Sequence, residues 1–342
     1  MNRFLVAFLF LAFSIQLKAQ LGGQRAYEFL NLPTNARSAA LGGVNITSGW
    51  LDPTQVGSNP AMLNTAMVNQ FVINRLSYFA DINQTNLTFI QPFEKLGDIA
   101  FGLNYLSYGT INSFDENGFL NGELSVNEYV LSASSSREFG PFMAGATLKL
   151  AVSDLSAFQS SAALLDIGGT FKHPEKQLTL GFVIKNVGFL ISDYTDDNNS
   201  QLPTDIQLGA TFKPEFMPFR FSVTARNLVR SDVVFFDPST NSLFGQNEEP
   251  GFGEEIFRRV VFGAELMASE NFQLRFGYNH LLRQELRLET ASGGSGFSFG
   301  FMFKVKRFEF AFARALYHTA GGSNSLQMNF NLDGILNEKN ND

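Results

Sequence analysis

The sequence predicts an all-β protein, a transmembrane antiparallel β-barrel of about 14 strands with a plug-like N-terminal segment. Three observations lead to this prediction: an apolar leader, long stretches in which apolar and polar residues alternate, and connections that mostly alternate between short and long. Alternation places successive side chains on opposite faces of a strand. A barrel wall with lipid outside and polar groups inside requires that pattern.

The composition excludes several classes of protein. The 342-residue chain has 25 basic and 32 acidic side chains, and its net charge of −7 excludes a basic nucleic-acid-binding domain. Only 17% of the residues are charged, whereas 38 are Phe and 30 are Gly. Because the chain contains no Cys, disulfides, thiolate metal sites, cysteine nucleophiles and an acylated lipoprotein anchor are excluded. Membrane attachment must therefore come from the fold.

The amino terminus has the three regions of a secretory signal peptide. Arg3 precedes an apolar run over residues 4–13, and a short polar stretch leads to Ala19. We predict a signal peptide over residues 1–19, with a short buried helix as the alternative. Since no later stretch has 18 consecutive apolar residues, we expect no transmembrane helix after cleavage.

Period-two alternation dominates after residue 68. In one stretch Leu148 and Leu150 share a face, and Thr147 and Lys149 share the opposite one. Each stretch is roughly ten residues long, which suits a tilted strand that crosses the hydrocarbon layer. We therefore place the barrel at residues 68–334, followed by a polar tail at 335–342.

The connections predict which end of the barrel faces outward. Short turns are predicted at 137–141, 172–177, 213–218, 267–271 and 304–307. Long loops are predicted at 109–122, 188–203, 229–257 and 281–294, with intermediate ones at 154–160 and 318–324. Outer-membrane barrels have short periplasmic turns and longer surface loops, so both termini are expected on the periplasmic side. The short connection at 80–84 is an exception, because its place in the order predicts an outer loop.

A large secreted β-sandwich or solenoid is the structural alternative. A sandwich would have to bury its Phe-rich face against a second sheet, and the chain shows no repeat of the solenoid kind. Closure into a barrel removes every edge strand and satisfies the backbone inside a bilayer. The barrel is therefore favoured.

Few residues suggest catalysis or metal binding. His173, His280 and His318 fall on different connections without metal-ligand spacing, so we predict no catalytic, cofactor or metal site. A membrane-barrel hydrolase that uses His280 or His318 remains an alternative. Two acidic groups lack the ligand spacing of a calcium loop and are expected to be solvated. They are Asp193, Asp196 and Asp197, and Glu248, Glu249, Glu254 and Glu255.

Charges on the polar strand faces are of both signs, which favours mutual pairing inside a filled barrel over a selective pore. They are Lys149, Asp166, Lys185, Asp205, Arg220, Arg226, Glu265, Arg275 and Glu309.

The first segment of the mature chain, residues 20–67, differs from the rest. It lacks sustained alternation, is rich in small residues, and carries the turn formers Asp52, Pro53, Asn59 and Pro60. A barrel of this size has room for a segment folded inward. We predict a plug-like segment, with a disordered periplasmic tail as the alternative.

The same segment carries a family resemblance. The stretches YEFLNLP at 27–33, ARSAALGG at 36–43 and SNPA at 58–61 resemble the amino-terminal region of the PorV/PorQ family. Its members are outer-membrane barrels of the type IX secretion system of Bacteroidota, similar in architecture to FadL-like fatty-acid channels. The resemblance covers residues 22–334, and over the barrel it is mainly one of pattern.

The resemblance implies a non-enzymatic component of a cell-surface attachment complex in the outer-membrane lipid. Its implied partners are a PorZ-like surface protein, a PorU-like sortase and a PorV-like barrel. We expect the outer loops to form the docking surface, and the longest, 229–257, contains the candidate partner-binding residues Phe235, Phe236, Phe244, Phe252 and Phe257. The alternative is that these aromatics pack on the barrel's own rim. The alternative function is FadL-like transport of hydrophobic small molecules.

Overall fold

The computed structural model describes residues 25–195, 200–230, 251–286, 293–318 and 321–333. The predicted signal peptide (1–19) and polar tail (335–342) lie outside the described residues. Fourteen strands form one closed barrel, in which every strand pairs with its sequence neighbours and the first pairs with the last. The predicted fold class is thus confirmed.

The strands lie between Gln70 and Asn331. The first seven are β1 (Gln70–Ser77), β2 (Asn83–Phe93), β3 (Gly97–Phe114), β4 (Leu120–Phe139), β5 (Phe142–Leu155), β6 (Phe158–Lys172) and β7 (Leu178–Ser192). The last seven are β8 (Asp205–Phe212), β9 (Phe219–Ala225), β10 (Val260–Ser269), β11 (Phe272–Asn279), β12 (Phe297–Val305), β13 (Phe308–His318) and β14 (Gly321–Asn331). All pairings are antiparallel, and β1 closes on β14 over eight residue pairs, from Gln70 with Asn331 to Ser77 with Asn324.

The helices are short. They are α1 (Ala36–Ala40), α2 (Phe252–Arg259) and α3 (His280–Leu286), together with 3₁₀ turns at Glu28–Asn31, Pro53–Gly57, Pro60–Met62 and Thr65–Met67. Within the part of the chain that the structure describes, no helix combines the length and apolarity needed to cross a membrane.

Side chains that alternate between apolar and polar along the sequence face alternately outward and inward in the barrel. On β5, Met143, Thr147 and Ala151 are buried, whereas Leu148 and Leu150 are exposed, Leu148 to 67%. The outer face carries Leu and Phe side chains on most strands, and such a surface is stable only against lipid. The predicted orientation, apolar side chains outward and polar side chains inward, is correct.

The two ends of the barrel differ. At one end, here called the short-turn end, connections such as 140–141, 270–271 and 306–307 have two residues. At the other, the loop end, α2 and α3 lie within the connections from β9 to β10 and from β11 to β12. The predicted short turns all fall at the short-turn end, and the connection after β1 is short, as the sequence indicated.

Three predicted loops are largely strand. Residues 109–122 belong mostly to a hairpin of β3 and β4, which turns only at 115–119, and 154–160 contains a two-residue turn. At 318–324, β13 runs to His318 and β14 begins at Gly321. At 109–122 the period-two signal fades because both faces of the ladder meet water, so nothing forces one face to be apolar.

Substitution at the centre of the outer face tests the membrane orientation. Leu148→Arg should lower the free energy of unfolding by about 2–4 kcal/mol, because it places a charge in the hydrocarbon layer. Denaturant titration in lipid vesicles measures this effect. Phe216→Arg is the control, since Phe216 lies in the turn between β8 and β9 and is 93% exposed. Equal losses at both positions would contradict the orientation.

Candidate functional site

Residues 25–67, here called the inner segment, contact the wall on several sides of the barrel. The inner segment is bonded to β14, β12, β8 and β4. The contacts are Ala36 N to Gln327 Oε1 at 3.0 Å, Gly42 N to Ser298 Oγ at 2.9 Å, Thr47 Oγ1 to Thr211 Oγ1 at 2.7 Å, and Ser136 Oγ to Leu63 O at 2.7 Å. A single segment can reach these strands together only from inside the barrel.

Side-chain caps shape the inner segment into consecutive tight turns. Asn35 accepts a hydrogen bond from the Ser38 backbone N–H at 2.7 Å and so begins α1. Asp52 caps the next turn and Asn59 the one after it, each followed by a proline at the first helical position. These are preferred N-terminal residues, because the side-chain oxygen satisfies an otherwise unpaired N–H. The turn-forming pairs Asp52–Pro53 and Asn59–Pro60 had indicated both turns in the sequence.

Glycines on the inner wall make room for this segment. A Cβ at Gly145 would lie 2.5 Å from the Pro60 carbonyl carbon, and one at Gly277 would collide with the backbone of Leu41. Any larger residue would push the inner segment away from the strand. These close approaches were missed from the sequence, where the only signal was glycine recurring on the polar faces.

An ion network fastens the inner segment to the wall. Arg37 Nε lies 2.9 Å from Asp52 Oδ2, and Arg37 Nη1 bonds to Glu265 Oε1 on β10. The other Glu265 oxygen accepts from Arg220 Nη1 at 3.2 Å, and Arg275 Nε lies 3.5 Å from Oε1. Glu265 and Arg275 are each only 1% exposed. One carboxylate therefore joins three arginines from the segment and from two strands.

Three arginines share the carboxylates of Asp52 and Glu265 in this network. Glu309 acts electrostatically on Arg37 and Arg275. A buried charge is tolerated only with a partner. The predicted pairing of lumen charges is present here for Arg220, Glu265 and Arg275, whereas the role of Arg37 was missed.

A second group of charges lies on β5, β6 and β7. Lys149 Nζ is 2.5 Å from Asp166 Oδ2, and Asp166 Oδ1 accepts the Asn186 backbone N–H at 2.8 Å. Lys185 donates to the Gly57 carbonyl at 3.2 Å, which ties the inner segment to this side as well. The predicted mutual pairing is again present.

Small cavities lie beside the inner segment. Two of them have volumes of about 30 and 80 Å³, and both are lined by Leu30, Thr34 and Lys185. A larger one, of about 590 Å³, opens at the short-turn end beside Trp50 and Lys172. The inner segment thus occupies the lumen and leaves space along its sides.

The predicted partner-binding aromatics separate into two groups. Phe235, Phe236 and Phe244 lie outside the described residues. Phe252 and Phe257 lie on α2, where Phe252 is 80% exposed. The ring of Phe257 is 6.3 Å from that of Phe262 on β10 and 6.0 Å from that of His280. Phe257 therefore contacts the rim on one side while 53% of it stays exposed, and Phe252 is more exposed still.

His280 joins the two helices of the loop end. Its Nε2 lies 3.1 Å from Glu254 Oε1 on α2, and its Nδ1 is 2.9 Å from the hydroxyl of Tyr278. Although partial burial raises the pKa of Glu254, hydrogen bonds from His280 and Arg258 outweigh it and lower that pKa below its ordinary value. This arrangement braces α2 against α3.

The other candidate residues have local roles. His173 accepts the Glu175 backbone N–H within a short turn. Asp193 accepts from Ser200 N at 3.0 Å and Ser200 Oγ at 2.8 Å, which closes its loop. His318 ends β13; Asp196, Asp197, Glu248 and Glu249 lie outside the described residues. Among the residues that are described, no three His, Asp or Glu side chains group as metal ligands would.

No protein-family model and no curated protein matches the chain. Among solved structures it is similar to the TodX monoaromatic hydrocarbon channel deltaS2 mutant, with a TM-score of 0.51 and 14% identity over 87% of this chain and 97% of that one. It is also similar to the Ralstonia pickettii toluene transporter TbuX, with a TM-score of 0.48 and 13% identity over 88% and 98% of the two chains. For a Pseudomonas aeruginosa FadL homologue the values are 0.44 and 11% over 87% and 98%. At such identities the likeness establishes the fold alone, a closed antiparallel barrel like that of TodX.

Neutralising the shared carboxylate tests the network. Glu265→Gln should lower the free energy of unfolding by about 3–5 kcal/mol, because it removes the buried carboxylate that Arg37, Arg220 and Arg275 share. Denaturant titration and hydrogen exchange of the amides at 36–62 measure the loss. Glu138→Gln is the matched control, since Glu138 is exposed at the short-turn end. Restoring charge balance with Arg275→Gln should recover part of the loss, and equal effects of Glu265→Gln and Glu138→Gln would contradict the network's role.

Proposed function

We propose that this chain is a non-enzymatic outer-membrane component of a type IX secretion system that docks a cell-surface attachment complex. The observation that supports the proposal is the fastening of the inner segment, which is joined by a buried ion pair to β10 and by hydrogen bonds to β4, β8, β12 and β14. A barrel built in this way serves better as a rigid anchor than as an open pore.

The loop end supplies the surface for a partner. Phe252 is exposed on α2, while Phe257, His280 and Glu254 brace that helix against the rim. An exposed aromatic on a braced element is a suitable anchor, because little conformational freedom is lost on binding. We propose that the connection at 226–259 binds the partner and that Phe252 contributes to the contact.

The identity of the partners comes from the family resemblance. The motifs at 27–33, 36–43 and 58–61 resemble the PorV/PorQ family, and the member that they resemble most is PorQ. On that basis the partners are a PorZ-like surface protein, a PorU-like sortase and a PorV-like barrel. The capped turns and close wall contacts of these motifs support a structural role for them in filling the lumen.

The proposed placement follows the same logic. Residues 1–19 direct export, the barrel lies in the outer membrane, and both termini face the periplasm, where the short turns of such barrels lie. The loop end is then extracellular. The proposal includes no catalytic, cofactor or metal site, and His280 acts as a brace.

Transport of hydrophobic small molecules is the second candidate function. The chain shares its fold with TodX, a monoaromatic hydrocarbon channel, and cavities lie beside the inner segment. A transporter would need those cavities to join into a continuous apolar path, yet they are lined in part by Lys149, Lys185 and Arg226. The charged lining favours docking over transport.

Deleting residues 237–253 tests the docking role. The variant should remain in the outer membrane and release the surface partner, because the deletion removes Phe244 and Phe252 and leaves the strands intact. Mild-detergent purification of a tagged copy, with mass spectrometry of the co-purifying proteins, measures the loss. Phe252→Ser should weaken recovery at least tenfold, and Phe216→Ser, equally exposed at the short-turn end, should not.

Retention of the partner by the deletion variant would reject this loop as the docking element. Recovery of the wild-type barrel alone, with bound lipid or other apolar molecules, would favour transport.

Conductance in planar bilayers tests the filled lumen. The wild type should show no steady conductance, whereas Asp52→Asn with Glu265→Gln should produce transient openings by loosening the inner segment. Deleting residues 36–62 should produce persistent conductance. Glu138→Gln again serves as the control. A wild-type conductance as large as that of the deletion would show that the lumen is open.

A further inference from the structure

The hairpin of β3 and β4 continues beyond the barrel wall. Pairing between β2 and β3 ends at Asn83 with Ser107, and pairing between β4 and β5 ends at Asn127 with Asp154. Pairing of β3 with β4 goes on from Thr110 with Ser125 to Phe114 with Leu120. Residues 108–126, here called the ribbon, therefore rise roughly 20 Å along the strands past their neighbours.

The ribbon is ordered at both ends. At its base Tyr105 stacks on Tyr129 with ring centroids 5.1 Å apart, and Tyr108 donates to Glu128 at 2.7 Å. At its tip Asp115 Oδ1 accepts the backbone N–H groups of Asn117 and Phe119 at 2.9 and 2.8 Å. A two-stranded ribbon without a third strand is only marginally stable in water. These contacts hold it in place.

Both edges of the ribbon are free of strand partners among the described residues. Its exposed apolar side chains are Ile111, Phe114, Phe119, Leu120 and Leu124, with Phe119 72% exposed. An extended free edge is ready to pair with another strand, and proteins usually blunt such edges with lysine or proline. The ribbon contains neither residue, and between its two register shifts, at Ser107/Thr110 and at Asn112/Phe114, the edge is open to pairing.

The charge of the ribbon determines which kind of strand can pair with its edge. Between residues 108 and 126 the chain carries Asp115, Glu116 and Glu123 and no Lys or Arg. A second copy of the ribbon would bring acidic side chains against acidic ones, and an anionic lipid surface would repel it in the same way. A strand of a soluble protein with basic and apolar side chains complements it in both respects.

We infer that the ribbon is a β-addition site for a basic, amphipathic edge strand of an extracellular protein partner. This inference rests on the proposed docking function and assigns to it an element other than the loop at 226–259. Main-chain pairing supplies the contact, Phe119 and Leu120 supply apolar area, and Glu116 and Glu123 select the charge of the partner.

The test uses the full-length barrel in detergent with a fluorescent peptide of four Lys-Val repeats as the probe. Anisotropy should report binding that weakens with salt, and hydrogen exchange should slow at amides within 108–126. Glu116→Lys with Glu123→Lys should weaken binding at least tenfold. Asp115 is left intact because it closes the tip turn. The matched control is Glu175→Lys with Glu215→Lys, two exposed residues at the short-turn end, and it should leave binding unchanged.

Two further probes make the outcome specific. A Glu-Val peptide should not bind, and a Lys-Val peptide N-methylated at alternate residues should lose the exchange protection, because it cannot form the ladder. Unchanged exchange with the Lys-Val peptide, or equal binding by the N-methylated peptide, would overturn strand addition. Protection by phosphatidylglycerol vesicles instead of peptide would assign the ribbon to the membrane. Since these measurements need no native partner, their failure is distinguishable from failure of the co-purification experiment.

Discussion

The closed hydrogen-bond ladder is the constraint on which the rest of this structure depends. Inside a bilayer each backbone N–H and C=O needs an internal partner, and pairing β1 with β14 leaves no edge strand in the wall. Closure fixes which side of each strand faces lipid and which faces the lumen. It therefore creates an apolar outer surface and, at the same time, a polar interior that has to be satisfied.

The inner segment provides partners for the polar groups of the barrel interior. Arg37 brings a charge to Glu265, and its own partner Asp52 comes with it, so the segment and the wall neutralise each other. Inward glycines let the segment lie directly against the strands, and capped turns hold its backbone compact. Removal of the segment would leave buried charge and open space together, so wall and segment act as one unit.

Because the wall and the inner segment hold each other in place, the surfaces suited to recognition lie at the loop end. A wall locked by the ladder and by ion pairs has little freedom to change, whereas the β3–β4 ribbon and α2 project from it with exposed aromatic side chains. Rigid bases under exposed anchors favour binding, because less conformational entropy is lost. The fastened inner segment and the projecting elements thus support the same functional proposal.

Period two along the chain was enough to predict most of the strands, their facing and a count of about 14, where the structure has 14, because lipid on one side and polar groups on the other force that pattern. The sequence likewise indicated the turns that begin at Asp52, Pro53, Asn59 and Pro60, because a capping side chain acts within a few residues. The tertiary structure alone decided that Arg37 reaches Glu265, 228 residues away, and that Phe257 contacts Phe262 and His280 while Phe252 is 80% exposed. It also decided that residues 108–126 form a ribbon: where water meets both faces, alternation carries no signal, and pairing across the chain sets the structure.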